Sequence, residues 1–409
     1  MPIQIGPVEP TETRRFLEAL STPFAFDLEG DDVEARVARF GALFEADRSR
    51  CAFEGDQIVG TLGAFSLAMT VPGSAVPCAG TTVVTVQPTH RRRGVLRSLM
   101  EAHFDEVEER GEPIAALWAS DSAIYHRFGY GMASVRAEVE LDRNHMALHR
   151  SVTPSLPVRL VATDAALDLI RPVFDSVVPT RPGMYRRNDA WWRRRMFDSP
   201  DDRGGATAFR YAVAGRDDEV EGYVQYRLKA GDWDSNHGNG TIIVRELIAR
   251  TPEAAISLWA FILGHDLTAT IDAGMVPEDD PVFSMLDGPR RAAPKLVDQL
   301  WVRIMDIPAA LMARRYGRTG DVTFAVKDPM GRIDGSYRLV VTANETTCTP
   351  VAGGGDIDLD LEDLSAAYLG RARFRALARA GRVGGDLDAL ETADLMFTWD
   401  PAPWCQEVF

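Results

Sequence analysis

The segment Val83-Val84-Thr85-Val86-Gln87-Pro88-Thr89-His90-Arg91-Arg92-Arg93-Gly94-Val95-Leu96 constrains this chain more than any other. It reads as a β-branched strand, a Pro-Thr break, an arginine run ending in glycine, and the first residues of an amphipathic helix. Behind it Val95, Leu96, Leu99, Met100, Phe104 and Val107 recur on one helical face. A strand, a glycine-containing turn and a helix start together make an anion site. Unpaired backbone N–H groups and the positive end of the helix dipole converge there. Gly94 lets a ligand approach the backbone closely.

With 409 residues the chain is long for one domain, and two or three are expected. Hydrophobic content of 45% beside 26% charged residues fits a soluble globular protein. Met1-Pro2-Ile3-Gln4-Ile5 has neither a basic n-region nor an apolar h-region, and no apolar run reaches membrane-spanning length, so a cytoplasmic protein without a membrane partner is expected. Cys51, Cys78, Cys348 and Cys405 lack the spacing of a zinc site or a disulfide framework, and no metal is expected. A net charge of −15 argues against nucleic acid and is compatible with cationic ligands. Basic charge is almost all arginine; Lys229, Lys295 and Lys327 are the only lysines, which disfavours Schiff-base chemistry.

In order, the chain shows a helix in which Phe16, Leu17 and Leu20 share a face, a second short helix at 36–44, and a hairpin turning at Gly55-Asp56. The helix after Gly94 ends with Glu106, Glu108, Glu109 and Arg110 toward solvent. The buried strand Ile114–Ala119 and a short helix capped by Ser120 or Asp121 follow, and a strand at 134–141 closes the unit. After a proline linker at 154–157, a hairpin turns across Gly215-Arg216-Asp217-Asp218. Strand Gly240–Ala249, the Thr251-Pro252 helix start and strand Thr268–Ile271 then repeat the strand-helix-strand plan of residues 81–119, without the arginine run and glycine before its helix. The third segment begins near Gln299-Leu300-Trp301. It holds paired strands across Pro329-Met330-Gly331 and a last strand at Leu395-Met396-Phe397. Trp191-Trp192-Arg193-Arg194-Arg195 reads as a helix packing its tryptophans and making interdomain ion pairs. Asp356–Asp363 reads as an alternating strand followed by a cap, without EF-hand spacing.

Two motifs carry a resemblance. Pro88-Thr89-His90-Arg91-Arg92-Arg93-Gly94 and Ile124-Tyr125-His126-Arg127-Phe128-Gly129-Tyr130-Gly131, with Leu300–Met305 and a terminal phenylalanine, closely resemble the enhanced intracellular survival family of GNAT N-acetyltransferases. The resemblance runs along the whole chain. It implies tandem GNAT folds of α/β and α+β character, the second degenerate, and then a sterol-carrier-like domain. The expected spans are 1–155, 156–295 and 296–409, the last delivering the C-terminal carboxylate. It further implies a homo-hexamer that moves acetyl groups from acetyl-CoA to primary amines of cationic small molecules such as aminoglycosides, polyamines or lysine-like compounds.

Carried over residue by residue, Val84, Thr85 and Val86 contact the pantetheine and acetyl group through strand backbone. Arg92, Arg93, Gly94, Val95, Leu96 and Arg97 hold the pyrophosphate, although Leu96 stands where the family pattern has Gly or Ala. Ser120 and Asp121 complete the cofactor site. Tyr125 is implied as the general acid, and Tyr130 reads as a packed aromatic. A phenol of pKa ~10 donates sensibly to a thiolate whose conjugate acid lies near ~8.5. The α-carboxylate of Phe409 is implied as general base. With pKa ~3.5 against ~10.4 for an ammonium, prior deprotonation is uphill by about 9 kcal/mol, so the carboxylate is better placed as acceptor once attack has begun. Asp27 and Glu29 are candidate ammonium partners. Val408 departs from the acid that would help there. The alternative is a lipid or small-molecule binder in which the sterol-carrier-like domain acts on a non-catalytic GNAT scaffold.

Overall fold

The structure, a computed structural model, describes residues 2–28, 33–216, 219–231 and 238–409, without the side chains of Asn144 and Pro289. Asp217 and Asp218 of the expected hairpin turn lie outside the described residues. The strands relevant to the first two sheets are β1 (Gln4–Gly6), β2 (Arg50–Glu54), β3 (Gln57–Val71), β4 (Ser74–Val86), β5 (Ile114–Trp118), β6 (Gly131–Met132) and β7 (Val135–Asp142). They continue with β8 (Val158–Val161), β9 (Arg210–Arg216), β10 (Glu219–Lys229), β11 (Gly240–Ala249), β12 (Thr268–Pro277), β13 (Lys295–Asp298) and β14 (Leu300–Ile304).

The first sheet has the order β1-β2-β3-β4-β5-β14-β6, and the second β13-β7-β12-β11-β10-β9-β8. Each is an antiparallel meander entering one parallel pair, β4 with β5 and β11 with β12. A helix makes each crossover: α3 (Val95–Glu109) in the first sheet and α7 (Pro252–Leu263) in the second. Among the intervening helices, α1 (Thr13–Phe24) and α2 (Val33–Gly41) flank the first sheet. The others are α4 (Ser122–Tyr125), α5 (Thr163–Val177) and α6 (Asp189–Met196).

The sheets exchange strands. β7, expected to close the first unit, pairs with β12 and β13 in the second sheet. In return β14, expected to open the third segment, enters the first sheet between β5 and β6. The reason lies in side-chain alternation: β7 buries Val135, Ala137, Val139 and Leu141 on one face. Period-two alternation fixes which face is buried but not which sheet the strand joins.

The α3 face is buried as its spacing predicts except at Leu96, which is half-buried and lines the cleft described below: Val95, Leu99, Met100, Phe104 and Val107 are at most 3% exposed. Each such side chain contributes about 1.5–3 kcal/mol of gross burial. Glu106 corrects the expected solvent side of this helix. It is buried and ion-paired at 2.9 Å with Arg48, which also grips Glu112 at 2.9 and 2.6 Å. A helix end that reads as charged can therefore face a buried guanidinium.

The third sheet has the order β17-β16-β15-β18-β19, formed by β15 (Gly320–Lys327), β16 (Gly335–Val341), β17 (Thr346–Val351), β18 (Ile357–Asp360) and β19 (Gly384–Gly385). Leu395-Met396-Phe397, expected as a strand, is the end of a helix spanning Leu387–Phe397. Its buried residues Leu390, Ala393 and Met396 fall three apart, and the apolar run is merely the last turn of that face. No described helix is long and apolar enough to cross a membrane.

Candidate active site

The site begins where β4 leaves β5. Their parallel pairing runs from Cys78 opposite Ile114 to Thr81 opposite Leu117 and stops there. On its other edge β4 bulges against β3: Thr85 pairs with Thr61 and Thr82 with Gly63, leaving Val83 and Val84 together opposite Leu62, one residue in excess. Val83 sits at φ +46°, an uncommon conformation for a β-branched residue. The Thr61 hydroxyl lies 2.8 Å from the Val83 carbonyl and 2.7 Å from Oγ1 of Thr85, which fixes the bulge. The two strands therefore diverge into a wedge.

The loop from β4 to α3 turns through two left-handed residues, Arg92 at φ +61° and Gly94 at φ +82°. Gly94 is the N-cap of α3 and supplies no side-chain acceptor, so the first helical N–H groups keep their donors. A Cβ built on Gly94 would meet nothing within 4 Å. Backbone donors thus face open space, as a diphosphate cradle requires.

Wedge and loop form one cleft of about 720 Å³. It brings together Val84, Thr85, Val86, Arg92, Gly94, Val95, Leu96 and Arg97 with Ser120, Asp121 and Tyr125. Arg93 is the exception among the expected loop residues: its guanidinium turns away to Glu54 at 2.9 Å, which His90 also contacts at 3.1 Å. Together these neighbours hold the Glu54 carboxyl down at about 2. Sequence reasoning missed Phe24 from α1 and Met330 from the β15–β16 turn, both in the cleft wall. Met330 arrives because Asp328 pairs with Arg303 of β14 at 3.0 and 2.9 Å, both fully buried. Arg332 of the same turn reaches Asp105 and Glu108 of α3 at 2.6 and 3.0 Å. No local pattern around Met330 signals this.

Tyr125 ends α4, a single turn whose start Asp121 caps by accepting from the Ala123 N–H at 3.0 Å. The ring is 4% exposed and packs edge-on against Tyr130 at 6.1 Å. Burial pushes the phenol up to about 12, partly offset by a hydrogen bond with Ser120. Tyr130 is fully buried and contacts Thr81 at 3.2 Å, and burial raises its pKa too.

On the far side of the bulge lies a second pocket of about 370 Å³, lined by Val83, Phe24 and Phe409 among others. The tail reaches it as an extended, pinned segment. The Gln299 carboxamide accepts from the Cys405 N–H at 2.9 Å and donates to the Cys405 carbonyl at 2.7 Å. Gln406 donates to the Arg245 carbonyl at 3.2 Å. Glu407, next to the expected acid position, is buried and pairs with Arg187, as Glu246 does. Burial pushes Glu246 up, yet Arg187 and Arg195 outweigh it and hold the carboxyl at about 2. Phe409 is 8% exposed and packs against Tyr185 at 5.8 Å. Asp27 is exposed and outside the lining of either pocket, and Glu29 lies outside the described residues.

The second sheet repeats the wedge without the cleft. At the start of α7 the Thr251 hydroxyl accepts from the Ala254 N–H at 3.3 Å, and Pro252 has no N–H to offer. Past Val244 the space between β11 and β12 holds about 10 Å³, filled around Trp259, whose indole donates to Asp280 at 2.9 Å. The degenerate copy has capped its helix and plugged its wedge.

Three family models tile the chain: an acetyltransferase (GNAT) domain over residues 4–133, another over 183–304, and a sterol carrier protein domain over 307–406. The chain is 39% identical over 376 residues to an N-acetyltransferase of Streptomyces avermitilis that is itself uncharacterised, covering 90% of each. It is 32% identical over 354 residues to N-acetyltransferase Eis of Mycobacterium tuberculosis, covering 85% of this chain and 84% of that one. The crystal structure of Eis1 from Mycobacterium abscessus matches over all of both chains with a TM-score of 0.83 at 28% identity. An α3 start with free donors, a bulged wedge and a buried tyrosine thus sit in a chain with two GNAT domains and a sterol carrier domain, and the chain belongs to the Eis family of GNAT N-acetyltransferases.

Proposed function

We propose that this protein transfers an acetyl group from acetyl-CoA directly to a primary amine of a small molecule, with Tyr125 as general acid and the α-carboxylate of Phe409 as general base. The observation that carries the reading is the placement of both residues around one bulge. Tyr125 lines the cleft at Val84, and Phe409 lines the adjoining pocket at Val83. Acetyl-CoA, bound on the loop Arg92–Arg97, supplies an activated thioester. The α3 N-terminus and Arg92 hold its diphosphate, and the free edge of β4 from Val84 to Val86 holds the pantetheine arm. Ser120 and Asp121 border the same arm. Tyr125 donates to the departing sulfur, and the Phe409 carboxylate takes the amine proton once the C–N bond has begun to form.

Aminoglycosides, polyamines and lysine-like amines are the acceptors that kinship suggests, in the cytoplasm and in a homo-hexamer. Four free, buried cysteines fit a reducing compartment. The test is CoA release with acetyl-CoA and a panel of such amines, beside the same protein extended by a few residues beyond Phe409. Extension should lower turnover at least tenfold while the Kd for acetyl-CoA stays within twofold. Absence of CoA release with every amine defeats the acetyltransfer reading. Full turnover of the extended protein removes the carboxylate from the mechanism.

A further inference from the structure

His103 interrupts the apolar face of α3. It shares that face with Leu99 and Val107, one turn to either side, where an aliphatic side chain would pack, and it is fully buried. A buried imidazole costs stability unless its nitrogens find partners. Nε2 lies 2.8 Å from the Thr81 hydroxyl, which is also 3.2 Å from the Tyr130 hydroxyl. Thr81 and Tyr130 are buried as well, so the three polar groups are sealed from water together. Burial lowers the pKa of His103 despite the neighbouring Glu106 carboxylate, and the ring is neutral at neutral pH.

Glu106 also gives this relay a direction. Its carboxylate lies 3.8 Å from Nδ1, where a nitrogen lone pair would be repelled, so the ring proton resides on Nδ1. Nε2 then accepts from Thr81, whose one hydrogen is thereby committed, and Thr81 accepts from Tyr130. Thr81 is the residue at which the β4–β5 pairing ends, so the relay is anchored at the apex of the wedge. At its other end Tyr130 meets Tyr125 twice. Its N–H donates to the Tyr125 carbonyl at 3.3 Å, and its ring packs edge-on against that of Tyr125. None of the three relay residues lines the cofactor cleft.

We infer that His103 is a positioning residue for the transfer: through Thr81 and Tyr130 it fixes the Tyr125 ring relative to the apex of the wedge. This rests on the general-acid role proposed for Tyr125 and adds the residues that keep its hydroxyl in reach of the sulfur. Proton donation needs a hydrogen-bond distance, and a displacement of about 1 Å forfeits much of the rate. The single turn of α4 has little rigidity of its own, so its aim comes from what Tyr130 is fastened to.

The full chain is assayed with acetyl-CoA and an amine that the wild type accepts. Thr81→Val removes the shared hydroxyl at nearly constant volume. It should lower kcat about tenfold, with the amine KM and the Kd for acetyl-CoA within twofold. Thr81→Ser should restore most of the loss, and His103→Gln, which keeps an acceptor near the place of Nε2, should be milder than His103→Leu. The deciding measurement is made on Tyr125→Phe. Adding Thr81→Val to it should change kcat by less than about twofold, because no hydroxyl remains to aim. An equal loss in both backgrounds, a wild-type kcat in Thr81→Val, or a loss of acetyl-CoA affinity in step with turnover overturns the inference. If Thr81→Val does not fold, Tyr130→Phe decides in its place, since it deletes one hydroxyl and leaves the Thr81–His103 bond intact. Two results obtained with Thr81 unaltered defeat the underlying reading and this inference with it: no CoA release by the wild type with any amine, or full turnover by Tyr125→Phe.

Discussion

Tyr125 has one of its protonation states strongly favoured by its surroundings. Burial pushes the phenol up to about 12, so it stays protonated throughout the neutral range, the form a proton donor needs. The linkage follows from the direction of the shift. A group whose folded pKa is raised contributes stability that is present below its unfolded pKa of ~10 and lost as pH climbs toward 12. Between pH 6 and roughly 9, Tyr125 therefore adds no slope to stability, and it sets no alkaline limit on turnover. Tyr125→Phe removes only the hydroxyl. It should lower kcat by about 10²–10³ while leaving the Kd for acetyl-CoA within a few-fold. Steady-state rates across pH 6–10 check both points: the wild type should rise and level without an alkaline fall, and the variant should be low throughout. A wild-type alkaline decline that the variant lacks would show the phenol ionising well below 12. Tyr125 was legible because one short motif contains it. Phe24 and Met330 were not, since each enters the cleft from an element far along the chain and its neighbours encode only a helix end and a turn.

At the scale of elements, two helix starts with the same topological place behave oppositely. α3 opens on Gly94 at φ +82° with bare N–H groups, and α7 opens on a threonine cap with proline behind it. The difference could be read in advance, because Thr-Pro and Gly-Val specify different N-termini whatever surrounds them. The filling of the second wedge could not, because it needs Trp259 and Asp280 to meet across the crossover. Strand membership was likewise hidden: the burial alternation of β7 fixes a face but not a sheet, and β14, buried on both faces, has no alternation to read. Gly94→Ala tests the first helix start. A Cβ meets no protein atom there, so its direct cost is the left-handed backbone, about 1–2 kcal/mol. The added methyl projects into the space assigned to the diphosphate. Calorimetric titration should show acetyl-CoA binding weakened at least tenfold, with a melting temperature lowered by only a few degrees. Unchanged affinity would place the diphosphate elsewhere.

Across the whole molecule the three segments are not beads on a string. β7 and β14 cross between sheets, the β15–β16 turn grips α3, and the tail of the third segment ends beside the bulge of the first. The degenerate sheet has lost its cleft but has a use in this arrangement. Its Glu246, together with Arg187 and Glu407, forms a buried charged cluster that holds the tail from one side. Gln299, on the connection into β14, holds it from the other, where its carboxamide pairs with both backbone groups of Cys405 and accepts from Ser134 at 2.9 Å. Gln299→Leu keeps the volume and removes all three partners. The Cys405 N–H and carbonyl would then be buried unpaired, at about 1–3 kcal/mol each, and release of the tail into water relieves that cost. The tail should therefore populate an undocked state, which carries Phe409 away from the bulge. Amine turnover is expected to fall about tenfold or more with the Kd for acetyl-CoA unchanged, since no residue of the tail lines the cofactor cleft. Limited proteolysis should remove the last residues of the variant faster than those of the wild type. Gln299→Glu, which keeps an acceptor for the Cys405 N–H but loses the donor to its carbonyl, should fall between the two. A loss of acetyl-CoA affinity in step with turnover would instead point to general damage of the first sheet through β14.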